Sequence, residues 1–293
     1  MEKTKKSTDS GFEKWLQKCK NHPFSGIVEA LVWLSGIVTM AIMIYLVTFI
    51  VIRGVPHLKP SLFALTYNSD NVSLMPALVN TLTVTVLSLV IAIPFGVFAA
   101  IYLVEYAKKG SRLVRLIRIT AETLSGIPSI IYGLFGLLFF STALHWGLSL
   151  LSGCLTLVIM ILPLIIRTSE EALLSVPDSY REASFGLGAG KLRTIFKIVL
   201  PSAVPGILSG VVLATGRIVG ETAALLYTAG TVAKISDLMG SGRTLAVHMY
   251  VLSSEGLHMD ESYATAVVLL VLVLVLNGLS GLLAKGLTGN KNK

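Results

Sequence analysis

Cysteine and charged residues are scarce in this chain of 293 residues. Its two cysteines, Cys19 and Cys154, lie in a basic segment and in an apolar segment, so neither a disulfide framework nor a zinc site is expected. Only 14% of the residues are charged. The sequence also lacks a Ser/His/Asp or Cys/His arrangement, a pair of acid–base carboxylates and any metal-ligand spacing. We therefore predict no catalytic residue, no metal and no cofactor.

Apolar residues dominate instead. They make up 54% of the sequence, and the mean hydropathy of +0.78 is typical of a membrane protein that spans the bilayer several times. Each long apolar stretch can cross a hydrocarbon core, which needs about 20 helical residues. Alternating strands of about ten residues, typical of a membrane β-barrel, are absent. We predict an all-α membrane protein with about six transmembrane helices, at residues 27–52, 78–104, 123–144, 147–166, 203–229 and 263–284.

Lysine and arginine are distributed unequally among the loops. Six precede the first span, five lie between the second and third, five follow the fourth, and three lie after the last. This positive-inside pattern predicts that both termini and the loop after the fourth span lie in the cytoplasm. Topology thus explains the net charge of +8, and nucleic acid is not an expected partner. The loops predicted to be external hold only Arg53, Lys59, Lys234 and Arg243.

The same pattern divides the chain into four parts. Residues 1–26 form a basic cytoplasmic tail, either solvated or partly amphipathic and resting on the anionic inner leaflet. Residues 27–75 form the first transmembrane helix and an external loop. Residues 76–284 form the main transmembrane domain, and residues 285–293 form a second cytoplasmic tail.

The loop after the fourth span has the most specific pattern. It reads REASFGLG at 181–188 and ends in IVLP at 198–201. Ser179 and Glu182 have the spacing of a capping box, in which each side chain binds a backbone N–H of the first turn. Gly186 and Gly188 can end the helix. We predict a helix of about two turns, which is marginal alone and gains stability by packing against another protein. The alternative is a well-capped connector without a partner.

This loop resembles the EAA loop of ABC importer permeases, with Ser184 in place of the second alanine. In that family the loop is a short cytoplasmic helix that docks into a groove on the ATPase. The resemblance implies that the chain couples to such an ATPase through Ser179, Glu182, Ala183, Gly188 and Pro201.

A second glycine-rich pattern in the loop does not indicate a nucleotide site. Gly188, Gly190 and Lys191 have part of the spacing of a phosphate-binding loop. Phe185 occupies the position that needs the first glycine, and Leu192 stands where Ser or Thr must hold magnesium. We therefore expect a permease subunit without an ATPase site of its own.

Two charged residues lie within the fifth predicted span. Arg217 and Glu221 are one helical turn apart and are expected to share a face, and Gly216 and Gly220 form a strip of small residues that lets another helix approach. A charge about 22 Å deep in a span costs at least a few kcal/mol. The two residues form either a structural ion pair or part of an aqueous path, in which the Arg217 fork binds a phosphate-like oxyanion.

The third predicted span begins with ETLSGIPS at 122–129. Glu122 is interpreted as an interfacial cap or as the salt-bridge partner of Arg118, four residues earlier. The hydroxyl-rich segment after it, including Ser125, is expected to line a vestibule.

Three segments together are similar to signatures of the A-type (PstA) permeases of bacterial phosphate importers, the Pst system: 122–136, 217–224 and 244–250. The resemblance implies a type I ABC importer permease fold over residues 76–284, with a phosphate pathway at Ser125, Arg217, Glu221 and Thr222. It also implies three partners: a homologous PstC-like permease, a dimer of a PstB-like ATPase, and an extracytoplasmic PstS-like phosphate-binding protein. The alternatives are a permease for sulfate or molybdate and a membrane scaffold that transports nothing.

Overall fold

The structure is a computed structural model that describes residues 23–108 and 110–289. Most of the predicted N-terminal tail, Lys109 and the last four residues lie outside the described part. The prediction of an all-α membrane protein is confirmed. One compact unit ends at Ile52 and a second begins at Arg53. The α-helices are α1 (Pro23–Gly54), α2 (Met75–Ile101), α3 (Arg112–Ser125), α4 (Ser129–Gly136), α5 (Leu150–Leu174), α6 (Asp178–Gly186), α7 (Lys191–Thr194), α8 (Leu200–Val219), α9 (Ala223–Thr228), α10 (Leu245–Glu255) and α11 (Met259–Gly289).

The predicted number of about six spans agrees with the structure. Among the described residues, five helical segments are long and apolar enough to cross a membrane, and a bent pair makes a sixth. Short π-helical segments at Tyr102–Tyr106 and Ile195–Val199 extend α2 and join α7 to α8. The five segments are Ile27–His57, Met75–Tyr106, Leu150–Leu174, Lys191–Val219 and Met259–Leu282.

The third span is bent rather than straight. α3 and α4 meet at 100°, between Gly126 at the end of α3 and Pro128 at the start of α4. Proline has no N–H to donate and disfavours a helical conformation in the residue before it, so the chain turns at this point. Much of the basic segment that was predicted to be a loop is therefore the helix α3, with Arg112 and Arg115 exposed.

The fifth predicted span is also broken. α8 ends at Val219, and the short helix α9 begins at Ala223. Gly220 ends α8, and the carboxylate of Glu221 accepts a hydrogen bond from the Ala224 N–H at 3.0 Å. That bond satisfies a free N–H at the start of α9, so it stabilises a new helix instead of the continuation of α8.

α5 is the central helix and packs against α2 and α8. Its Leu157 and Ile161 are fully buried. Neighbouring backbones approach it where glycines replace larger residues: a Cβ at Gly136 would overlap Thr156, and one at Gly210 would overlap Thr168. Close packing at small residues holds helices together in a membrane, where lipid is as apolar as the helix surface. These contacts therefore fix the positions of the helices that surround the candidate site.

The two ends of α5 carry different structures. α6 follows its C-terminus, and we call this the coupling end. At its N-terminus lies the segment 229–244, and we call this the loop end. The Leu150 and Leu151 N–H groups donate to the carbonyls of Gly240 and Leu238, at 3.0 and 2.8 Å. With 25 residues in α5, the two ends are about 37 Å apart.

Candidate functional site

The predicted coupling helix is α6, which has nine residues, but the predicted capping box is wrong. The N-cap residue is Pro177, no side chain caps the helix, and Ser179 is already the second helical residue. Because an N-cap side chain must stand just before the first helical residue, the Ser179 hydroxyl and Glu182 cannot form the box. Asp178 in the first turn instead places negative charge at the helix N-terminus, where the helix dipole favours it.

Glycines end the coupling helix as predicted. Its last residue is Gly186, and Gly188 has a φ of +79°, in the left-handed region. The Gly188 N–H donates to the Phe185 carbonyl at 2.9 Å, and the Ala189 N–H donates to the Ser184 carbonyl at 3.1 Å. A side chain with a Cβ is strained in this backbone conformation. The turn out of the coupling helix therefore depends on Gly188.

Arg181 fastens the coupling helix to two membrane helices. Its Nε and Nη2 both donate to Glu105 Oε1, at 3.0 and 2.8 Å. The same guanidinium donates to the carbonyls of Val176 and Leu173 near the C-terminus of α5, at 2.8 and 3.1 Å. The pair is well shielded, with 14% of the Arg181 side chain and 9% of the Glu105 side chain exposed. Movement of α6 is thus tied to the end of the second span and to α5.

Ser184 provides a second attachment. Its hydroxyl lies 2.8 Å from the Thr194 hydroxyl, and both residues are buried. This serine, which stands where the EAA pattern has its second alanine, therefore forms a hydrogen bond that alanine could not form. It joins α6 to α7, which leads directly into the span that contains Arg217.

The other residues of the coupling helix are open to a partner. Leu187, just after the helix, is 90% exposed, and Tyr180 and Phe185 are also exposed. Glu182 and Ala183 are exposed as well. Pro201 is half-buried at the start of α8. Apolar side chains exposed next to charged ones are typical of a protein interaction surface. A groove of about 310 Å³ beside this surface is lined by Ser184, Leu187, Gly188, Ala189, Arg193, Lys197 and Ile198.

We expect Glu105→Gln to weaken the attachment of the coupling helix to the end of the second span. Removing one partner of a buried ion pair costs up to about 3 to 5 kcal/mol. Arg181 would be left with the exposed carboxylate of Asp178, 3.2 Å from its Nη1, as its ion-pair partner. Amide hydrogen exchange over Asp178–Gly186 should accelerate at least tenfold, and transport should fall with it. Glu171→Gln is the matched control: its pair with Arg167 is exposed, and such pairs contribute about 0 to 1 kcal/mol. Equal exchange rates in the two variants would contradict the proposed link.

The predicted shared helix face of Arg217 and Glu221 is wrong, and the structural ion pair, one of the two alternatives for them, is not formed. Arg217 lies in the last turn of α8, whereas Glu221 lies beyond the helix end and caps α9. The expectation of a shared helix face required an unbroken helix, and Gly220 interrupts it. A cation near the C-terminus of a helix is stabilised by the helix dipole. Within the described ranges, no hydrogen bond or ion pair of the half-buried Arg217 guanidinium is seen.

The predicted strip of small residues at Gly216 and Gly220 contacts no other helix. No described residue outside α8 lies within 4 Å of a Cβ built on Gly216, and a Cβ on Gly220 would meet only the Gly216 carbonyl. The close approach occurs at Gly133 instead, where a Cβ would lie 2.8 Å from the Ala224 Cα. α4 therefore packs against α9, and the side of α8 that carries Arg217 is left open at Gly216.

Tyr132 connects the two breaks. Its hydroxyl donates to the Leu124 carbonyl at 2.7 Å, next to Ser125 at the end of α3. Its neighbour Gly133 packs on Ala224 of α9, just after the second break. Ser125 and Thr222 are both half-buried, and the Thr222 hydroxyl contacts only its own turn, 3.4 Å from the Gly220 carbonyl. Packing of α4 on α9 thus brings the two helix breaks, with their polar residues, to the same region of the bundle.

Arg118 pairs with Glu170 rather than with Glu122, so that one of the two interpretations of Glu122 is wrong. Its Nε donates to Glu170 Oε1 of α5 at 2.8 Å, while Glu122 remains exposed. The bend between α3 and α4 lays α3 against α5, so the long-range partner is closer than the helical neighbour. Glu122 instead helps to line a surface cavity of about 290 Å³ that also contacts Arg118, Arg167, Glu170 and Glu171.

Comparison with known proteins places these features in a family. Residues 92–289 match the profile of the binding-protein-dependent transport system inner membrane component. The chain is 34% identical over 282 residues to the probable ABC transporter permease protein YqgI of Bacillus subtilis, a match that covers 88% of this chain and 95% of that protein. It is 33% identical over 259 residues to the phosphate transport system permease protein PstA 2 of Mycobacterium bovis, with 85% of each chain covered.

A solved structure has the same fold. It is a bacterial alginate ABC transporter in complex with its pentasaccharide-bound periplasmic protein. The superposition has a TM-score of 0.64 at 18% identity, and covers 92% of this chain and 98% of the other. At this identity the likeness concerns the fold alone.

Proposed function

Because this chain belongs to the family of binding-protein-dependent transport system inner membrane components, we propose that it forms part of the path by which an ABC importer carries inorganic phosphate into the cell. The chain is an ABC importer permease subunit. The observation that carries the choice of substrate is the half-buried Arg217 guanidinium, which has no ion pair among the described residues and stands where two helices are broken.

The chemistry of Arg217 suits an oxyanion. A guanidinium donates two parallel hydrogen bonds to phosphate oxygens, and it stays charged in a site of low dielectric constant. Irregular backbone at membrane depth persists where protein or a water-filled cavity satisfies it. Ser125 and Thr222 supply further hydroxyl donors near the breaks. The PstA 2 relative supports phosphate over sulfate and molybdate, which would need the same cation.

Three partners complete the proposed importer. A cytoplasmic ATPase dimer docks on the exposed residues of the coupling helix, among them Glu182 and Ala183, and hydrolyses the ATP. A homologous second permease contributes the other half of the path. An extracytoplasmic phosphate-binding protein delivers the substrate. We further propose that both termini and the coupling end face the cytoplasm, because the basic loops lie at that side of the plasma membrane.

Co-purification tests the proposal. The chain, expressed with its partner permease and ATPase, should give a complex whose ATP hydrolysis rises severalfold when phosphate-loaded binding protein is added. Unloaded binding protein should have little effect. A complex that responds only to sulfate- or molybdate-loaded binding protein would favour the alternative oxyanions. A chain that purifies without any ATPase would favour the scaffold.

A further inference from the structure

Arg243 is buried at the loop end, although its charge placed it in an external loop. Only 4% of the residue is exposed. Its backbone is fixed on both sides: the N–H donates to the Val232 carbonyl at 2.9 Å, and the carbonyl accepts from the Asn80 side chain at 3.1 Å. The guanidinium is therefore held in the interior by a well-defined segment, 37 Å or so from the coupling end.

The Arg243 guanidinium lacks the partners that buried charges normally have. Its Nε and Nη2 are inaccessible and have no hydrogen-bond partner among the described residues. Two acidic groups at this end, Asp260 and Glu261, pair with His57 and His258 instead, at 3.4 and 3.8 Å. Buried charges in proteins are almost always paired or bound to a ligand. The buried Nε and Nη2 donors of Arg243 are thus available to an anion.

Other unpaired polar groups surround Arg243. The Thr244 hydroxyl is buried without a hydrogen-bond partner among the described residues. Both ring nitrogens of His248 are buried as well, and no hydrogen bond of normal geometry reaches them there, although the Val72 backbone lies near enough to interact with the ring. Burial, and to a smaller extent the Arg243 charge, lower the pKa of His248 to about 3, against a smaller opposite effect from the Val72 backbone. The imidazole is therefore neutral and has one N–H to donate. α10 begins at Leu245, so its positive N-terminal end points to the same place.

Tyr67 covers this cluster. The Arg243 guanidinium lies over its ring, 4.6 Å from the centroid, and the His248 ring packs edge-on at 6.2 Å. Tyr67 itself is half-buried and belongs to the segment between α1 and α2. A cation over an aromatic face is stabilised, but its N–H groups stay unbonded. The Tyr67 ring thus supplies part of the electrostatic stabilisation of Arg243 that a bound anion would supply.

We propose that Arg243, Thr244 and His248 form a second oxyanion site at the loop end, closed in this conformation by Tyr67. When Tyr67 moves aside, the guanidinium fork, the hydroxyl and the imidazole N–H are exposed to an anion that arrives from the side opposite the coupling helix. The choice of inorganic phosphate as the anion rests on the proposed function. The site itself rests on the unpaired donors.

Phosphate titration of the purified full chain tests the site. We use the Arg217→Gln background, so that binding at Arg217 does not contribute. Phosphate should bind saturably and raise the melting temperature. Arg243→Met should weaken this binding at least tenfold and abolish the phosphate-dependent rise, while the melting temperature without phosphate stays equal or increases, because an unpaired buried charge has been removed. Lys234→Gln, an exposed cation of the same segment, is the control and should bind as before.

A purely structural cation–π contact predicts different results: Arg243→Met would melt earlier, and its response to phosphate would be unchanged. Tyr67→Ala provides an independent readout. It should speed phosphate association, since the cover is gone, whereas a structural role predicts no change in association rate. If Arg243→Met does not fold and Tyr67→Ala binds at the original rate, the site is wrong. A site that takes sulfate but not phosphate would stand and would count against phosphate as the transported anion.

Discussion

Replacing Arg217 with glutamine is expected to abolish phosphate uptake while the complex still assembles. The guanidinium is half-buried in the last turn of α8, and in the described residues no carboxylate neutralises it. Losing a charged hydrogen-bond partner in a shielded site costs about 2 to 5 kcal/mol, which corresponds to roughly a 30-fold to several-thousandfold loss in rate. The measurement is uptake of radiolabelled phosphate into vesicles, normalised to the amount of assembled complex.

Two further variants serve as comparisons for Arg217→Gln. Arg217→Lys should restore little activity, because an ammonium group lacks the two parallel donors of the guanidinium. Arg167→Gln removes an exposed cation of α5 and should transport normally, since its surface pair with Glu171 contributes little. Normal uptake by Arg217→Gln would show that the residue is outside the path. Failure caused only by a missing complex would assign Arg217 a structural role.

Gly188→Val is expected to disrupt docking of the ATPase at the coupling end. A β-branched residue at a φ of +79° costs about 1 to 3 kcal/mol, and it would distort the turn that ends the coupling helix. The variant should insert into the membrane in normal amounts but lose most of the ATPase association and the transport. Co-purified ATPase and vesicle uptake are measured together.

Gly186→Ala is the matched control for this variant. Gly186 is the last residue of α6, has no positive φ, and a Cβ there would meet no described atom within 4 Å. Alanine should therefore be tolerated or slightly stabilising in the helix. If Gly188→Val transports as well as Gly186→Ala does, the loop is a simple connector and the coupling role is wrong.

Local patterns predicted the class of the fold and the coupling helix. Length and hydrophobicity were enough to indicate a membrane bundle, and Gly186 and Gly188 marked the helix end because their effect is local. The break at Gly220 was not predicted, because a single glycine inside a predicted span does not by itself end a helix. The shared face predicted for Arg217 and Glu221, and the ion pair that was one of the two alternatives for them, required an unbroken helix.

Contacts between residues far apart in the sequence could not be predicted either. Arg181 and Glu105 are 76 residues apart. The local signal for Glu105 is weak: it is a single acidic residue at the end of an apolar run. Arg243 was assigned to an external loop because charge counting treats every basic residue as solvated. Its burial results from the way the segment 229–244 folds back on α2 and α5, through Asn80, Leu150 and Leu151.

The central claim is that this chain conducts phosphate within an ATP-driven importer. The direct measurement is ATP-dependent uptake of labelled phosphate by proteoliposomes that contain the chain with its partner permease and ATPase, supplied with phosphate-loaded binding protein. We expect uptake that requires ATP, persists in a large excess of sulfate and is lost in Arg217→Gln. Uptake of sulfate in preference to phosphate, or equal phosphate accumulation with Arg217→Gln in place of the native chain, would contradict the account.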